Sequence, residues 1–405
     1  MDRSLATAAG AYAVDSSGRR SIDLTMGLGS LLFGHRCPEI DAAIRTQLDR
    51  AGHLGETSAA LDAWIASITS LVPCAERVVP TASATEASML AVRVARAATG
   101  REWIVRLDGH YHGCFDEALA SSAATAAAGL HPLAASRVLL ADGADADGVA
   151  DFLRTGRAAA ILLEPGGGAC GLLPMAFDVA WLRQLTRETG TVLVFDESVS
   201  GFRNAPGGVQ EVTGVTPDLC VLSKILTGGL PGGALAGATE LLARVADDRR
   251  TPTRGSEVTY ASTYAGHPLT AAAGRASLEL ARSGRPQRVA AANADAVSGV
   301  LNAVADEVGV DWHTFTTGSV LHHVVGLVSH GPGGTPSAEA AHVARANWRW
   351  QLRVAAAFAD HGVVLHPLHG WISTAHDEAV LDALEQRACH ALRTAFRATA
   401  SASHG

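Results

Sequence analysis

The hydrophobic positions of the chain form two kinds of pattern, short continuous runs and longer runs with a helical repeat. The runs Trp103–Leu107, Ala158–Pro165, Thr191–Phe195 and Leu219–Leu222 are mostly apolar. Continuous runs of this length, bounded by Gly and Pro, are typical of strands that are buried on both faces of a parallel sheet. A helical repeat at 177–190 separates the second run from the third. This alternation predicts an α/β fold built on a mostly parallel sheet.

The pattern changes near residue 286, which predicts a second domain. A helical repeat covers 287–307, apolar positions alternate at 319–328, a long helix is expected around Ala338–Phe358, and a last helix is expected from Asp377. This mixture is typical of a smaller α+β domain. We therefore predict three parts: an N-terminal segment that contributes to the small domain, 1–50; a large domain, 51–285; and a C-terminal small α+β domain, 286–405.

Two charged side chains follow strands of the large domain. Asp196 comes directly after Phe195, and Lys224 comes shortly after Leu222. Because ligands bind at the carboxyl ends of strands in open α/β sheets, we expect both side chains in one site. Lys224 is the only lysine of the chain, although Lys and Arg together number 32. An arginine stays protonated, whereas a lysine amine can lose its proton and attack a carbonyl, so this position predicts a nucleophilic lysine.

A carboxylate and such a lysine suit pyridoxal 5'-phosphate. The carboxylate holds a proton on the pyridine nitrogen, and the amine bonds to the aldehyde carbon. The motifs around them are FDE, GFR, a GG pair before Gln210, GVTPDL and LSKILTGGLPGGALAG. This stretch resembles the class III aminotransferase family, which has PLP fold type I, and most closely its glutamate-1-semialdehyde aminomutase branch. The resemblance implies that the large domain binds the cofactor, that Lys224 is the Schiff-base lysine, and that Asp196 is the partner of the ring nitrogen.

A small-residue turn before a predicted helix is the expected phosphate site. Thr85 and Glu86 begin a helical repeat that ends at Gly100. The free N–H groups and positive dipole end of such a helix favour an anion, and hydroxyl groups add donors. The family has Ser-Gly-Thr at this place, and the chain has Ser83, Ala84 and Thr85. The resemblance therefore implies that these three residues bind the phosphate.

Three further residues are implied to bind the cofactor by the resemblance. Tyr111, in GHYHGC, corresponds to the family's aromatic residue that stacks on the ring. Ser198 takes the place of an apolar residue that packs under the ring. Thr263 corresponds to a threonine that reaches the phosphate of the neighbouring subunit, which implies a homodimer with shared active sites.

Composition excludes several classes of partner. The 405 residues are 48% hydrophobic, enough for two cores, and carry a net charge of −8 without a basic block. This charge gives no general attraction to nucleic acid or to an anionic membrane, and no apolar run approaches the roughly 20 residues of a membrane span. The six cysteines lie far apart, without the spacing of a zinc site, and the N-terminus lacks the pattern of a signal peptide. We expect a cytoplasmic protein without a metal site that binds small-molecule amines and oxo compounds.

The predicted function is amino-group transfer between an amino donor and an oxo or aldehyde substrate through a Lys224 aldimine. A 2,1-aminomutase is the main alternative, since re-amination of a retained product at its neighbouring carbon uses the same steps. A divergent pyridoxal phosphate enzyme, such as an epimerase, lyase or cyclase, is a third possibility, prompted by Ser198 and by Ala169 in the loop after the strand 158–165. A cofactor-binding protein without catalysis is the least favoured, because binding alone does not require the lysine.

Overall fold

A computed structural model gives the fold. It describes residues 4–55, 57–120, 128–173, 175–245, 258–326, 343–344 and 346–397. The chain divides into two compact units: residues 42–282 form the large unit, and the described residues within 1–41 and 283–405 form the small one. The domain limits expected at residues 50 and 285 remain predictions. Within these described ranges, no helix is long and apolar enough to cross a membrane.

The strands and helices are numbered in chain order. The strands are β1 Leu5–Ala9, β2 Tyr12–Asp15, β3 Arg20–Asp23, β4 Arg77–Thr81, β5 Trp103–Leu107, β6 Val138–Ala141, β7 Ala158–Leu163, β8 Val192–Glu197, β9 Leu219–Ser223, β10 Gly233–Gly237, β11 Trp312–Thr317, β12 Val320–Val325, β13 Val363–Val364 and β14 His369–Trp371. The helices are α1 Met26–Gly29, α2 Pro38–Leu48, α3 Ala59–Leu71, α4 Ala84–Thr99, α5 Asp116–Leu119, α6 Pro132–Ala135, α7 Ala146–Arg154, α8 Gly168–Gly171, α9 Val179–Thr189, α10 Gly208–Thr213, α11 Thr239–Leu242, α12 Pro268–Ala281, α13 Arg285–Val308, α14 Trp348–Asp360 and α15 Glu378–Arg397.

The large unit is built on one seven-stranded sheet. Its order is β4-β10-β9-β8-β7-β5-β6, and β10 alone runs antiparallel to its neighbours. Every residue of β7 and β8 is buried, as expected for central strands that helices cover on both faces. The prediction of an α/β fold with a mostly parallel sheet is confirmed.

Two helices of the large unit show how the sequence sets their ends. In α4 the Ser83 hydroxyl accepts a hydrogen bond from the N–H of Glu86, and Gly100 ends the helix with φ 66°. In α9 the Asp178 carboxylate accepts from the N–H of Trp181, and Gly190 ends the helix with φ 63°. A polar cap at the start and a left-handed glycine at the end satisfy backbone groups that the helix itself leaves without partners.

The small unit contains two sheets and three long helices. Its sheets have the orders β1-β2-β3-β13 and β11-β12-β14. Helices α13, α14 and α15 contribute buried residues to one core that includes Trp312 and Phe358. The helix expected around Ala338–Phe358 is found as α14, which begins at Trp348. Asn347 precedes it and donates a side-chain hydrogen bond to the carbonyl of Val325, and residues 338–342 lie outside the described residues.

Buried histidines of the small unit predict acid sensitivity. Burial lowers the pKa of His322 to about 3 and the pKa values of His323 and His376 to about 4. In the unfolded chain these histidines bind protons below about pH 6.5. Their contribution to the free energy of unfolding is therefore complete above that pH and is lost as the pH falls toward 4. We expect the free energy of unfolding to fall by about 1.4 kcal/mol per pH unit for each histidine, measured by urea denaturation between pH 8 and pH 4.5.

A single substitution separates this effect from the titration of carboxylates. His376 is held by Ser373 and by the carbonyl of Asp23. In the His376→Gln variant, the slope of the unfolding free energy against pH should be smaller by about 1.4 kcal/mol per pH unit, the contribution of one histidine. Equal unfolding free energies of the wild type at pH 7.5 and pH 5 would contradict the prediction.

Candidate active site

The carboxyl ends of β7, β8 and β9 bring three charged side chains to one end of the large sheet. Asp196 pairs in register with Val221 of β9, and Lys224 lies a few residues beyond Val221 at the end of that strand. Glu164 directly follows β7, the neighbour of β8 on its other side. Strand order and register therefore place Glu164, Asp196 and Lys224 at the same edge, as expected for a ligand site in such a sheet.

Asp196 is a buried carboxylate with a set of hydrogen-bond donors. Its Oδ2 lies 2.9 Å from His112 Nδ1, and its Oδ1 accepts from the Ser198 N–H at 3.0 Å and from the Ser198 hydroxyl at 2.6 Å. Burial alone would raise the pKa of Asp196, but the hydrogen bonds from His112 and Ser198 outweigh it, and the pKa lies below its ordinary value. The carboxylate is therefore ionised at neutral pH.

The adjacent carboxylate, Glu197, faces the other side of the sheet and has structural partners. Its side chain accepts hydrogen bonds from the Val209 N–H at 2.6 Å, from Gln210 at 3.1 Å and from Ser200 at 3.1 Å. Successive side chains of a strand point to opposite faces, so Glu197 cannot share the environment of Asp196.

Lys224 begins a 3-10 turn, Lys224–Thr227, with a left-handed φ of 55°. This conformation costs a residue with a side chain about 1–2 kcal/mol, and the surrounding bonds must hold it. The Thr227 hydroxyl lies 2.9 Å from the Lys224 carbonyl and 2.6 Å from that of Leu230. The lysine side chain is half-buried, and in the described ranges no residue accepts a hydrogen bond from its Nζ. The turn fixes the backbone and leaves the amine for a ligand.

The N-terminus of α4 lies beside this strand end. The N–H groups of Ala84 and Thr85 belong to the first turn, where a helix provides no acceptor. Ser83 directly precedes α4, and Gly233 of β10 packs closely against it. A Cβ on Gly233 would lie 2.8 Å from the carbonyl carbon of Ser83. Gly233 also pairs with Ser223, which precedes Lys224. The N–H groups of Ala84 and Thr85 therefore form a candidate anion-binding site close to Lys224, which we call the anion cradle.

The loop after β5 places Tyr111 at the carboxyl end of β7. The Tyr111 N–H donates to Glu164 Oε1 at 2.9 Å, and the Glu164 N–H donates to His110 Nδ1 at 2.9 Å. Burial lowers the pKa of His110 to about 3, so this histidine is neutral and able to accept that bond. The Tyr111 side chain is 65% exposed, which leaves its ring free to cover a ligand.

The same loop contacts α4 through Gly113. This glycine has φ 110°, and a Cβ on it would lie 2.6 Å from Thr85 Oγ1 and 2.9 Å from Thr85 Cα. No side chain fits between the loop and the start of the helix. Gly113 therefore holds the Tyr111 loop against the anion cradle.

The Gly113→Ala variant should lose affinity for pyridoxal phosphate and some stability. The backbone strain alone costs about 1–3 kcal/mol, and the displaced loop would weaken cofactor binding by roughly tenfold or more. Fluorescence titration with pyridoxal phosphate measures the affinity. Gly100→Ala is the matched control, because Gly100 ends the same helix with φ 66° and a Cβ added to it would have no neighbouring atom within 4 Å. Equal affinities of the two variants would contradict the role of Gly113.

The structure brings most of the residues predicted from the sequence to this one edge. Ser83, Ala84 and Thr85 form the start of α4, and Tyr111, Asp196, Ser198 and Lys224 lie on the loops and strand ends around it. Thr263 is exposed in the turn before α12, and in the described part of the chain no hydrogen bond joins it to the others. The roles of these residues toward a cofactor remain predictions.

Three residues that form hydrogen bonds within the site were not identified from the sequence: His110, His112 and Glu164. The two histidines flank Tyr111, and the glutamate ends an apolar run. Both features could have marked these residues as candidates for the site. Their contacts depend on the strand order β5-β7-β8, which the sequence does not contain.

The donors at this edge fit pyridoxal phosphate. The N–H groups in the first turn of α4 suit a phosphate, and the close packing of Gly233 on Ser83 fixes the start of that helix against β10. The ionised Asp196 suits a protonated pyridine nitrogen, and the Lys224 amine suits an aldehyde.

Comparison with known proteins agrees with this geometry. The family model of aminotransferase class III matches residues 2–396. A glutamate-1-semialdehyde 2,1-aminomutase of Thermomicrobium roseum is 36% identical over 77% of this chain and 73% of its own length, and one of Roseiflexus castenholzii is 32% identical over 97% and 90%. The crystal structure of an omega-transaminase from Sphaerobacter thermophilus has a TM-score of 0.83 and 29% identity, and the match covers 97% of this chain and 91% of that one. The chain therefore belongs to the class III aminotransferase family and is a pyridoxal phosphate-dependent enzyme of fold type I.

Proposed function

We propose that the protein is an aminotransferase, which moves an amino group from a small amine donor to an oxo or aldehyde acceptor. One observation carries the proposal: the only lysine of the chain stands at the same strand edge as an ionised, buried aspartate. A guanidinium at that position could not lose a proton, so the retention of lysine points to covalent and proton-transfer chemistry.

Each residue of the site has a distinct task in this proposal. When bound, pyridoxal phosphate supplies an aldehyde carbon that joins to amines and a ring that accepts electrons from the carbon next to the amine. Lys224 Nζ would hold the aldehyde carbon, and as a free amine it would hold the proton that moves to and from the substrate Cα. Asp196 would hold the proton on the ring nitrogen, and the α4 N–H groups would hold the phosphate. Tyr111 would exclude water from the ring.

A 2,1-aminomutase is the second candidate, favoured by the names of the relatives from Thermomicrobium and Roseiflexus. The same side chains would serve both reactions, since the difference is whether the first product leaves before it is aminated again. We place the aminotransferase first because the chain belongs to the class III aminotransferase family. Ser198 and Ala169 depart from the pattern of that whole family, so they favour neither of the two reactions over the other.

An isotope experiment distinguishes the two candidates. The protein, loaded with pyridoxal phosphate, is given a panel of ¹⁵N-labelled amines, among them glutamate-1-semialdehyde, with and without unlabelled oxo acids. Label that appears in a second molecule, with release of an oxo product from the donor, supports the aminotransferase. Label that is retained in a rearranged amine supports the aminomutase. Exchange into neither kind of product would contradict amino-group transfer.

We also propose that the enzyme is a homodimer in which Thr263 completes the phosphate site of the partner subunit. Its exposed position before α12 leaves the side chain available for such a contact. A Thr263→Ala variant, mixed with a Lys224→Ala variant, would form hybrid dimers with one intact site, so activity should rise on mixing. Light scattering that gives the mass of a single 41.7 kDa chain would contradict the dimer. The cytoplasmic location stays a prediction.

A further inference from the structure

Ser198 differs from the other residues around the site because its hydroxyl is directed at a catalytic carboxylate. The side chain is buried, 7% exposed, and its hydroxyl lies 2.6 Å from Asp196 Oδ1. An ionised carboxylate only accepts hydrogen bonds, so the Ser198 hydroxyl is the donor. The sequence placed Ser198 under the cofactor ring, whereas the structure shows that its polar atom is used by Asp196.

The two oxygens of Asp196 are not equivalent. Oδ1 accepts both the N–H and the hydroxyl of Ser198, at 3.0 and 2.6 Å, which occupies both of its lone-pair directions. Among the residues that the structure describes, only His112 donates to Oδ2, through Nδ1 at 2.9 Å. One lone-pair direction of Oδ2 is therefore left for a ligand.

A hydroxyl bond of this kind changes the basicity of the carboxylate. Hydrogen bonds to the ionised form favour it over the protonated form, and a short bond to a charged acceptor is among the stronger ones. The titratable groups that interact with Asp196 are His110 and His112 from the loop after β5 and Cys220 from β9. The Ser198 hydroxyl adds to their effect without adding a charge, so it can be removed without changing the charge of the site.

We propose that Ser198 is a positioning residue that lowers the basicity of Asp196, directs the ring nitrogen of the cofactor to Oδ2, and weakens the hold of the site on the ring-nitrogen proton. This inference rests on the proposed function, since it assumes that Asp196 faces the ring nitrogen. The cofactor ring should therefore withdraw electrons less strongly than it would if Asp196 lacked the hydrogen bond from the Ser198 hydroxyl.

The Ser198→Ala variant tests the proposal. Wild type and variant are loaded with pyridoxal phosphate labelled with ¹⁵N in the ring, and the ring-nitrogen resonance is followed against pH. The variant resonance should lie closer to the value of a protonated pyridine, and its titration midpoint should rise by about one pH unit, a tenfold gain in proton affinity. Ser198→Cys, which keeps a weaker donor, should fall between the two.

Ser200→Ala is the matched control. It removes a serine hydroxyl two positions away that donates to Glu197, a carboxylate on the opposite face of the strand. Its resonance should match the wild type. Equal resonances in wild type and Ser198→Ala, or an equal shift in Ser200→Ala, would overturn the inference.

The experiment separates this inference from the proposed function. Borohydride reduction of the same samples reports whether the cofactor is attached to Lys224, whatever the state of the ring nitrogen. Attachment with an unchanged ring resonance overturns only the role of Ser198. Absence of attachment in the wild type overturns both.

Discussion

Arginine in place of Lys224 is expected to lower the rate of amino transfer by at least about 10⁴-fold. The substitution keeps the positive charge and the length of the side chain, but a guanidinium stays protonated and neither attacks an aldehyde nor removes a proton from a substrate carbon. Single-turnover reaction of the cofactor-loaded protein with an amine donor, followed by absorbance, measures the loss.

The same variant must be shown to fold. Lys224 is half-buried, and its backbone is held by Thr227 rather than by its own side chain, so the unfolding transition should stay close to the wild type. Pyridoxamine phosphate, which needs no bond to the lysine, should still bind. A folded Lys224→Arg protein that retains more than a tenth of the wild-type rate would contradict the assignment.

Asparagine in place of Asp196 should lower the rate by about 10²- to 10⁴-fold. An amide does not hold a proton on the ring nitrogen, and its neutral oxygen binds His112 less strongly than a carboxylate does. The rate constant of the first half-reaction measures the effect, and the affinity for the cofactor should fall less than the rate.

The neighbouring carboxylate provides the control for this substitution. Glu197→Gln also removes a buried charge, but from the face that binds Val209, Gln210 and Ser200. This variant should lose stability, measured by urea denaturation, and retain a rate within about tenfold of the wild type, because its carboxylate does not face the site. Similar losses of rate in Asp196→Asn and Glu197→Gln would contradict the distinct role of Asp196.

The sequence predicted the large sheet well because central parallel strands leave a simple signal. The runs at β7, β8 and β9 are continuous and apolar, and the charged residues after them fall at the strand ends by necessity. Glycines likewise indicated the ends of α4 and α9 at Gly100 and Gly190, whereas α4 begins at Ala84, one residue before the predicted Thr85. These features depend on neighbours in the chain, so a single sequence contains them.

Contacts across the sheet could not be predicted in the same way. His112 and Asp196 meet only because the loop after β5 passes over the end of β7 to reach β8. The hydroxyl of Ser198 can turn toward the ring or toward Asp196, and the choice depends on the three-dimensional position of the carboxylate.

The most direct test of the central claim is the mass of the protein after incubation with pyridoxal phosphate and reduction with borohydride. Lys224 is the only lysine, so apart from the N-terminal amine a single side chain can carry the reduced group. We predict one pyridoxyl phosphate group per chain, located by peptide mass spectrometry on Lys224. An unmodified Lys224 in folded, cofactor-saturated protein would contradict the account.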